Sequence, residues 1–388
     1  MSAFPTRSDA VALTQALVAM DSRNPALAAD GPGESQCATA LGEILTLWGF
    51  RVERQDCGGG RMNIVARIGR SGARSLLFNG HLDTVGVEGM VHSPWEPAVR
   101  EGRIFGRGSA DMKGGIAAMC AAAVRAADTG LDGEVIVAAV ADEEFHSVGT
   151  RALIRAGVHA DAAIVTEPTR LAICPAHRGF AWLELVVHGR AAHGSRYDVG
   201  VDAIALAALV VAELEQYQQE VLTRTSHPLL GRASLHTSFV SGGLGLSTFP
   251  DRCNVTFERR TLPGEVASDF AREVEAACAR VRTRRPELVA EVRPGFSQEP
   301  NDVPLDHPIV LALAAALEGA ARPAPIEGLA CWTDAALLTA AGIPAICFGP
   351  GDIAVAHAAE EYVMTSEIEQ ATDVLARLAV GWFGDSPR

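Results

Sequence analysis

The chain has 388 residues, enough for about two domains of ordinary size, and its 48% hydrophobic and 21% charged residues are typical of a globular protein. Its formal net charge of -14 argues against binding to nucleic acid or to an anionic membrane surface, because both need basic patches. No apolar run reaches the ~20 residues that cross a bilayer, and the amino-terminal residues lack the apolar core of a signal peptide, so we expect a cytoplasmic protein.

The amino-terminal part of the sequence predicts helices and then strands. Apolar residues recur at helical spacing over residues 8–21, behind a serine cap at Ser8, and over residues 35–48, before Gly49. Three strand-like runs follow, at 51–54, 63–68 and 75–80. The third run is almost wholly apolar, which is typical of a strand that helices cover on both faces.

The third strand leads directly into His81-Leu82-Asp83. Side chains two residues apart on an extended chain fall on the same face. A histidine that binds a metal usually donates its other ring N–H to a carboxylate, so His81 is a candidate ligand and Asp83 its neighbour or orienter. By itself the pair fits a solvated strand end better than a pair of ligating residues.

A glycine-rich stretch, 106–115, surrounds Asp111 and precedes a predicted helix at 116–127. Glycines allow the backbone to approach another group closely. The stretch contains neither the Gly-x-Gly-x-x-Gly nor the Walker pattern, and an anion-binding helix start is the alternative interpretation. We interpret Asp111 as a ligand held in a confined place.

Two further apolar strands end in carboxylates. The strand 134–141 precedes Asp-Glu-Glu at 142–144, and the run 162–166 precedes Glu167. Successive carboxylates repel one another unless a cation is present, and open α/β sheets bind ligands at the carboxyl ends of their strands. Solvation would explain one acidic strand end, but three such ends indicate a shared site.

The strand pattern changes near residue 177. Half-alternating strands and amphipathic helices follow one another in a strand–helix–strand–strand–helix–strand order, which is typical of an α+β domain with helices on one face of an antiparallel sheet. The first pattern resumes near residue 295. Its last predicted strand, 345–348, precedes His357, although a lone loop histidine is more often solvated than ligating. We therefore expect one discontinuous domain, 1–176 with 295–388, and an inserted domain, 177–294.

These motifs resemble the dinuclear-zinc amidohydrolases that include acetylornithine deacetylase, succinyl-diaminopimelate desuccinylase, aminoacylase and bacterial glutamate carboxypeptidase. The resemblance covers essentially the whole chain and rests on motifs at 80–85, 106–115, 142–144, 167–169, 260–265, 333–335 and 349–351, the last followed by His357. It implies an α/β, zinc-exopeptidase-like catalytic domain with a mixed central sheet flanked by helices. The inserted domain would be a ferredoxin-like α+β dimerisation domain.

The resemblance also implies two Zn²⁺ ions, for which Co²⁺ could substitute. The implied ligands are Asp111 as the bridge, His81 and Glu167 on one ion, and Glu144 and His357 on the other. A water or hydroxide between the metals would be the nucleophile, Glu143 the general base, and Asp83 a further catalytic residue beside His81. A cis peptide bond is expected between Asp111 and Met112.

Four residues near or within the inserted domain have implied roles in substrate handling. His193 matches a histidine that reaches the partner subunit's active site in dimeric members, where it would stabilise an oxyanion. Arg260 matches an arginine that holds the substrate's carboxylate, with a surface ion pair to Glu258 as the alternative. Ser247 replaces a substrate-contacting Asn, and Trp332 would line the specificity pocket or belong to the core.

We therefore expect a homodimeric di-zinc amidohydrolase that removes an acetyl- or succinyl-type group from an N-acyl amino acid, with no nucleic-acid or membrane partner. The alternative with the same mechanism is a metallo-exopeptidase that acts on dipeptides, other short peptides or C-terminal residues. A binding protein with an inactive site is a third class, and the presence of Glu143 and of every implied ligand argues against it.

Overall fold

The computed structural model describes residues 4–72 and 74–384. The chain divides into two compact units. The large unit contains the chain up to Pro175, the segment Val303–Glu327, and the chain from Thr333 onwards. The small unit contains Ala176–Asp302 and Gly328–Trp332.

Both units contain helices as well as strands. The helices are α1 (Ala10–Val18), α2 (Ser35–Leu47), α3 (Gly114–Ala127), α4 (Val148–Arg155), α5 (Ala203–Tyr217), α6 (Ala267–Arg284), α7 (Pro308–Gly319), α8 (Ala335–Ala340) and α9 (Thr365–Gly384). The strands are β1 (Arg51–Gly58), β2 (Arg61–Gly69), β3 (Ser75–His81), β4 (Val99–Arg100), β5 (Arg103–Phe105), β6 (Glu134–Val140), β7 (Ala162–Val165), β8 (Ile173–His177), β9 (Gly179–His188), β10 (Ser226–His227), β11 (Gly231–Arg232), β12 (Ser234–Gly242), β13 (Arg252–Thr261), β14 (Val289–Gln298), β15 (Asn301–Asp302), β16 (Ile326–Leu329), β17 (Ala345–Cys347) and β18 (Tyr362–Met364). Among the residues that the structure describes, none of these helices has the length and apolarity needed to cross a membrane.

A mixed sheet with the strand order β1-β2-β6-β3-β7-β17-β8 forms the centre of the large unit. β6, β3, β7 and β17 are parallel neighbours, whereas β1, β2 and β8 pair antiparallel. Leu76 and Phe78 of β3 belong to a core shared with α1, α2, α3, α7 and α9. Leu77 points to the other face and is equally buried. Coverage of both faces explains the apolar β3 run, and the predicted α/β class with a mixed central sheet is confirmed.

The first three helices lie where the sequence predicts them, apart from details at their ends. The predicted serine cap of the first helix is wrong, because Asp9 is the capping residue and its carboxylate accepts a hydrogen bond from the Ala12 amide at 2.9 Å. Asp9, one residue after Ser8, directly precedes the first helical residue, Ala10, which is where a capping residue belongs.

The small unit has the predicted order of elements, β9-α5-β12-β13-α6-β14. Its sheet is antiparallel, with the strand order β12-β13-β9-β14. Leu183 and Leu185 of β9 are buried against residues of α5 and α6, whereas Trp182 lies on the other face and is 41% exposed. The period-two pattern of β9 therefore reflects one face covered by helices and one that is open.

The glycine-rich stretch is packed as closely as its composition predicts. A Cβ atom on Gly115 would lie 2.0 Å from the carbonyl oxygen of Thr166, in the segment that follows β7. Gly108 has φ = +79°, and a Cβ there would lie 2.7 Å from a methyl group of Thr84. Both positions lack room for a side chain, so α3 can begin directly against the sheet.

We predict that Gly115→Ala destabilises the large unit by about 1–3 kcal/mol, because the backbone of Thr166 must move away from the new methyl group. Gly381→Ala is the matched control, since Gly381 lies in α9 with no atom near its Cβ position. That change should be neutral or stabilise by up to ~1 kcal/mol. Urea unfolding of both variants measures the difference, and equal midpoints would contradict the packing argument.

Candidate metal centre

The parallel strands of the large unit bring the predicted polar residues to one edge of the sheet. His81 is the last residue of β3, Glu143 follows β6 by three residues, and Glu167 follows β7 by two. β6, β3 and β7 are neighbours in the sheet, and parallel strands end at a common edge. All three side chains thus emerge at the carboxyl ends of adjacent strands.

Asp111 lies between the two predicted histidine ligands. Its Oδ1 is 3.0 Å from His81 Nε2, and its Oδ2 is 3.4 Å from His357 Nε2. His357 Nε2 is also 3.2 Å from Oε1 of Glu144. Each oxygen of one carboxylate therefore faces a different imidazole, which is the arrangement that a carboxylate bridging two cations requires. The peptide bond between Asp111 and Met112 is cis, as expected.

Three of these residues form a group with the spacing of metal ligands. His81, Asp111 and Glu144 each offer one donor atom, and these atoms lie within 4.8 Å of one another. Glu167 is buried beside them, and the charge of Asp111 acts on it. Oxygen and nitrogen donors without thiolate fit a catalytic zinc or cobalt site better than a structural one.

The orientation of His81 comes from a different atom of Asp83 than expected. His81 Nδ1 lies 2.9 Å from the main-chain carbonyl oxygen of Asp83 and 3.8 Å from its carboxylate. A carbonyl only accepts, so we assign the hydrogen to Nδ1, which directs Nε2 toward Asp111.

The carboxylate of Asp83 fixes the segment after β6 instead. It accepts hydrogen bonds from the amide of Glu143 at 3.1 Å and from the amide of Glu144 at 3.3 Å. Asn24 donates a third hydrogen bond from Nδ2 at 2.8 Å. Asp83 therefore positions both glutamates through their main chain.

The candidate centre concentrates more buried acids than its histidines can balance. Burial raises the pKa of Glu143 and of Glu167 well above the ordinary value, because a dry site disfavours the charged form. Burial likewise raises the pKa of Asp334 to about 6. Hydrogen bonds to Asp111 and Glu144 raise the pKa of His357 to about 10. Divalent cations would relieve the same repulsion, so the residues fit a metal centre.

A buried polar network that the sequence analysis missed supports this edge of the sheet. The amide group of Asn24 also donates to Asp142 at 2.9 Å, and Arg61 contacts Asp142 at 3.1 Å and Glu34 at 3.1 Å. Asn24 and Glu34 lie in the irregular segment between α1 and α2, which has no periodic signal. Asp334 belongs to the motif at 333–335 but had no predicted role, and its carboxylate accepts a hydrogen bond from Thr150 at 2.6 Å.

The four predicted substrate-handling residues all lie in the small unit. His193 is exposed, accepts or donates a hydrogen bond with Ser195 at 2.8 Å, and forms a bridge with Thr248, next to Ser247. The structure therefore brings His193 and Ser247 together.

The other two are Arg260 and Trp332. Arg260 forms an ion pair with Glu258, as in the alternative interpretation, and its guanidinium lies 5.6 Å from the ring centroid of Phe180. Trp332 is half-buried and donates a hydrogen bond from Nε1 to the carbonyl of Glu299 at 3.0 Å. Its ring lies 6.4 Å from that of Phe180, edge-on, so Phe180 lies next to both Arg260 and Trp332.

The network predicts a pH dependence of stability that Glu34 causes. Burial, with the charge of Asp83, raises the pKa of Glu34 from 4.5 to about 7 against the opposing effect of Arg61. The folded protein then binds more protons than the unfolded chain between these values, so this group's contribution to stability is full below pH 4.5 and is lost as the pH rises through 7. Glu34→Gln should remove a decline of up to ~3 kcal/mol in the unfolding free energy of metal-free protein over this range.

Urea unfolding at several pH values measures this slope, with the exposed Glu43→Gln as the control. The same slope in the Glu34 variant and in the wild type would contradict the assignment.

Comparison with known proteins identifies the family. Residues 77–380 match the model of peptidase family M20/M25/M40. Acetylornithine deacetylase of Myxococcus xanthus is 31% identical over 351 residues, covering 87% of this chain and 89% of that protein. N-formyl-4-amino-5-aminomethyl-2-methylpyrimidine deformylase of Bacillus subtilis is 28% identical over 372 residues, with 86% of each protein covered.

Solved structures share the fold. Aminopeptidase PepT from Bacillus cereus aligns with a TM-score of 0.80 at 20% identity, covering 98% of this chain and 99% of that one. The M20 metallo-carboxypeptidase Sso-CP2 from Sulfolobus solfataricus aligns with a TM-score of 0.77 at 16% identity, covering 96% and 98%. The family match spans most of the chain, and the chain therefore belongs to peptidase family M20/M25/M40.

Proposed function

We propose that this protein is a metal-dependent hydrolase of linear amides that removes an acyl group from an N-acyl amino acid. The observation that carries the proposal is the placement of Asp111 between His81 and His357, with Glu143 beside the group but outside it. The names of the two relatives at 31% and 28% identity, a deacetylase and a deformylase, support removal of a small acyl group.

The proposed cofactor is a pair of Zn²⁺ ions, with Co²⁺ as a substitute. A solved structure that aligns at 16% identity is described as a dinuclear metal-binding peptidase of the M20 family, and we extend that property to this chain as a proposal. The proposed ligands are His81 and Glu167 for one ion, Glu144 and His357 for the other, and Asp111 for both. Bound metals would lower the pKa of a water molecule and polarise the scissile carbonyl.

Glu143 is the proposed general base, an assignment that follows the family resemblance, and the contacts of Glu144 support the choice between the two. Glu144 offers an oxygen within the ligand group and contacts His357 at 3.2 Å. Glu143 lies outside that group, 3.9 Å from His81 Nε2, and Asp83 holds its main chain. In the proposed reaction Glu143 accepts the proton of the attacking water and donates it to the leaving amine. Asp83 would contribute by keeping Glu143 in place.

The small unit would supply the remaining groups of the proposed reaction. We propose that His193 stabilises the oxyanion in the partner subunit's active site and that Arg260 exchanges its pairing with Glu258 for the substrate's carboxylate. Ser247 and Trp332 are proposed to contact the substrate. The alternative activity is that of an exopeptidase acting through the same groups. The fold neighbours named as peptidases are 20% identical or less and support the fold alone.

The decisive experiment measures release of free amine from N-acetyl, N-succinyl and N-formyl amino acids and from dipeptides, using metal-stripped protein with and without added Zn²⁺ or Co²⁺. We expect metal-dependent cleavage of one acyl class and loss of cleavage when the substrate carboxylate is amidated. Cleavage of dipeptides alone would replace the proposal by the exopeptidase alternative. Full metal loading without cleavage of any compound would refute both substrate classes.

In the same assay, Glu143→Ala should lower turnover by at least about 100-fold while metal content stays near that of wild type. A general base accelerates proton transfer and is not itself a metal ligand. Glu144→Ala is the matched variant and should lose metal. Loss of metal from the Glu143 variant would make Glu143 a ligand and overturn the assignment.

We also propose that the protein is a homodimer that pairs through β12. β12 is an edge strand of the small unit's sheet, and Phe239 and Val240 on it are 74% and 66% exposed. An exposed edge with apolar side chains is a ready site for pairing with a second copy. In a two-fold dimer the same residue comes from both copies, so one substitution acts twice.

Phe239→Lys should convert the dimer to a monomer, because it places like charges on both sides of the proposed interface. Leu311→Lys is the control, since Leu311 is an exposed apolar residue of α7 in the large unit. Analytical ultracentrifugation at micromolar concentration distinguishes the two masses. A wild type with the mass of a single chain would rule out the dimer.

A further inference from the structure

Glu361 is a buried carboxylate that contacts the turn before Asp111. Its side chain is completely buried. Oε1 accepts hydrogen bonds from the amides of Ala110 at 3.0 Å and of Asp111 at 3.2 Å. Oε2 accepts one from Nη1 of Arg107 at 2.6 Å. One carboxylate therefore holds two successive amides of the segment that carries the central aspartate.

Arg107 fixes Glu361 in this position. The guanidinium is buried and donates from Nε to the carbonyl oxygen of Gly86 at 2.7 Å. The main chain adds a further link, because the amide of Gly106 donates to the carbonyl oxygen of Glu361 at 3.2 Å. The turn from Gly106 to Asp111 is thus attached to Glu361 through both side chain and backbone.

This attachment joins two segments that carry candidate ligands. Glu361 follows His357 by four residues and lies directly before β18, which pairs with β5 ahead of the turn. Asp111 must present one oxygen to His81 and the other to His357, at 3.0 and 3.4 Å. Rotation of the Asp111 backbone would change both distances, and the two amide hydrogen bonds to Glu361 oppose it.

Stability alone is a weak reason for such a pair. Removing two charges from water is costly, and well-packed apolar residues often stabilise a protein as much as a buried ion pair does. The apolar replacement would, however, leave the amides of Ala110 and Asp111 without their acceptor. The acceptor and its counter-ion therefore serve the geometry of the turn.

We propose that Glu361, charge-paired with Arg107, is a positioning residue that aims the Asp111 carboxylate and thereby sets the affinity of the metal centre. The inference rests on the metal centre of the proposed function. The competing explanation is a buried ion pair that only stabilises the large unit.

Glu134 provides a matched control for that explanation. It is a buried carboxylate of the same unit, with Arg51 at 2.8 Å and Arg67 at 2.9 Å. It stands at the first residue of β6, at the opposite end of the strand from Asp142. Glu134→Gln therefore removes a buried acidic partner far from the candidate centre.

The experiment compares Glu361→Gln, Glu361→Asp and Glu134→Gln with wild type in three measurements. These are Co²⁺ and Zn²⁺ affinity by competition with a chromophoric chelator, the visible absorption spectrum of the Co²⁺-loaded protein, and urea unfolding of the metal-free protein. Glu361→Gln removes the charge, whereas Glu361→Asp keeps the charge and shortens the reach. The aspartate variant also keeps the test valid if the glutamine variant does not fold.

We expect both Glu361 variants to bind metal about 10- to 100-fold more weakly than wild type, with an altered Co²⁺ spectrum, as for other groups that orient ligands. Glu134→Gln should lower the unfolding midpoint and leave affinity and spectrum unchanged. Wild-type affinity and spectrum in both Glu361 variants would overturn the inference while leaving the proposed function intact. A wild-type protein that binds neither metal would instead refute the proposed centre, and this inference with it.

Discussion

Repulsion among buried carboxylates at one edge of the central sheet is the constraint on which the large unit depends. Asp111 and Glu167 are buried, the side chain of Glu144 is largely covered, and their charges act on one another. Each would be costly to keep ionised there without compensation. His81 and His357 lie among these carboxylates, His81 against Asp111 and His357 against Glu144. A pair of divalent cations would satisfy the same demand.

The segments that carry the candidate ligands are held in place by hydrogen bonds from their main-chain amides to neighbouring carboxylates. Asp83 accepts the amides of Glu143 and Glu144, and Glu361 accepts the amide of Asp111. These acids act on the backbone and leave the side chains of the candidate ligands free to face the centre. Asn24 in turn donates a hydrogen bond to Asp83, and Arg107 donates one to Glu361. Orientation of ligands through their surroundings is general in metal sites.

The two units differ in how closely the contacts of their candidate residues indicate a chemical role. In the large unit the distances among Asp111, His81 and His357 fit a proposed site that binds cations through oxygen and nitrogen donors. In the small unit Arg260 pairs with Glu258, and the ring of Phe180 lies near its guanidinium. An arginine beside an acid and an aromatic ring can recognise a carboxylate, which is the role we propose for Arg260.

The class of fold and several of the residues that gather at the sheet edge could be predicted from the pattern of amino acids, whereas the family came from the resemblance of the motifs. Such a prediction is possible because parallel strands end at the same edge of a sheet. Polar residues that follow several apolar strands therefore meet at that edge, independently of the conformation of the connecting loops. The atoms that hold these residues became known only from the folded chain. Asn24 lies 59 residues from Asp83, and Glu361 lies 250 residues from Asp111. Residues in loops carry no periodic signal, so the sequence does not indicate which distant residues they contact. The packing of the folded chain decides those contacts. The imidazole of His81 is likewise oriented by a main-chain carbonyl, that of Asp83. A main-chain contact of this kind has no side-chain motif by which the sequence could reveal it.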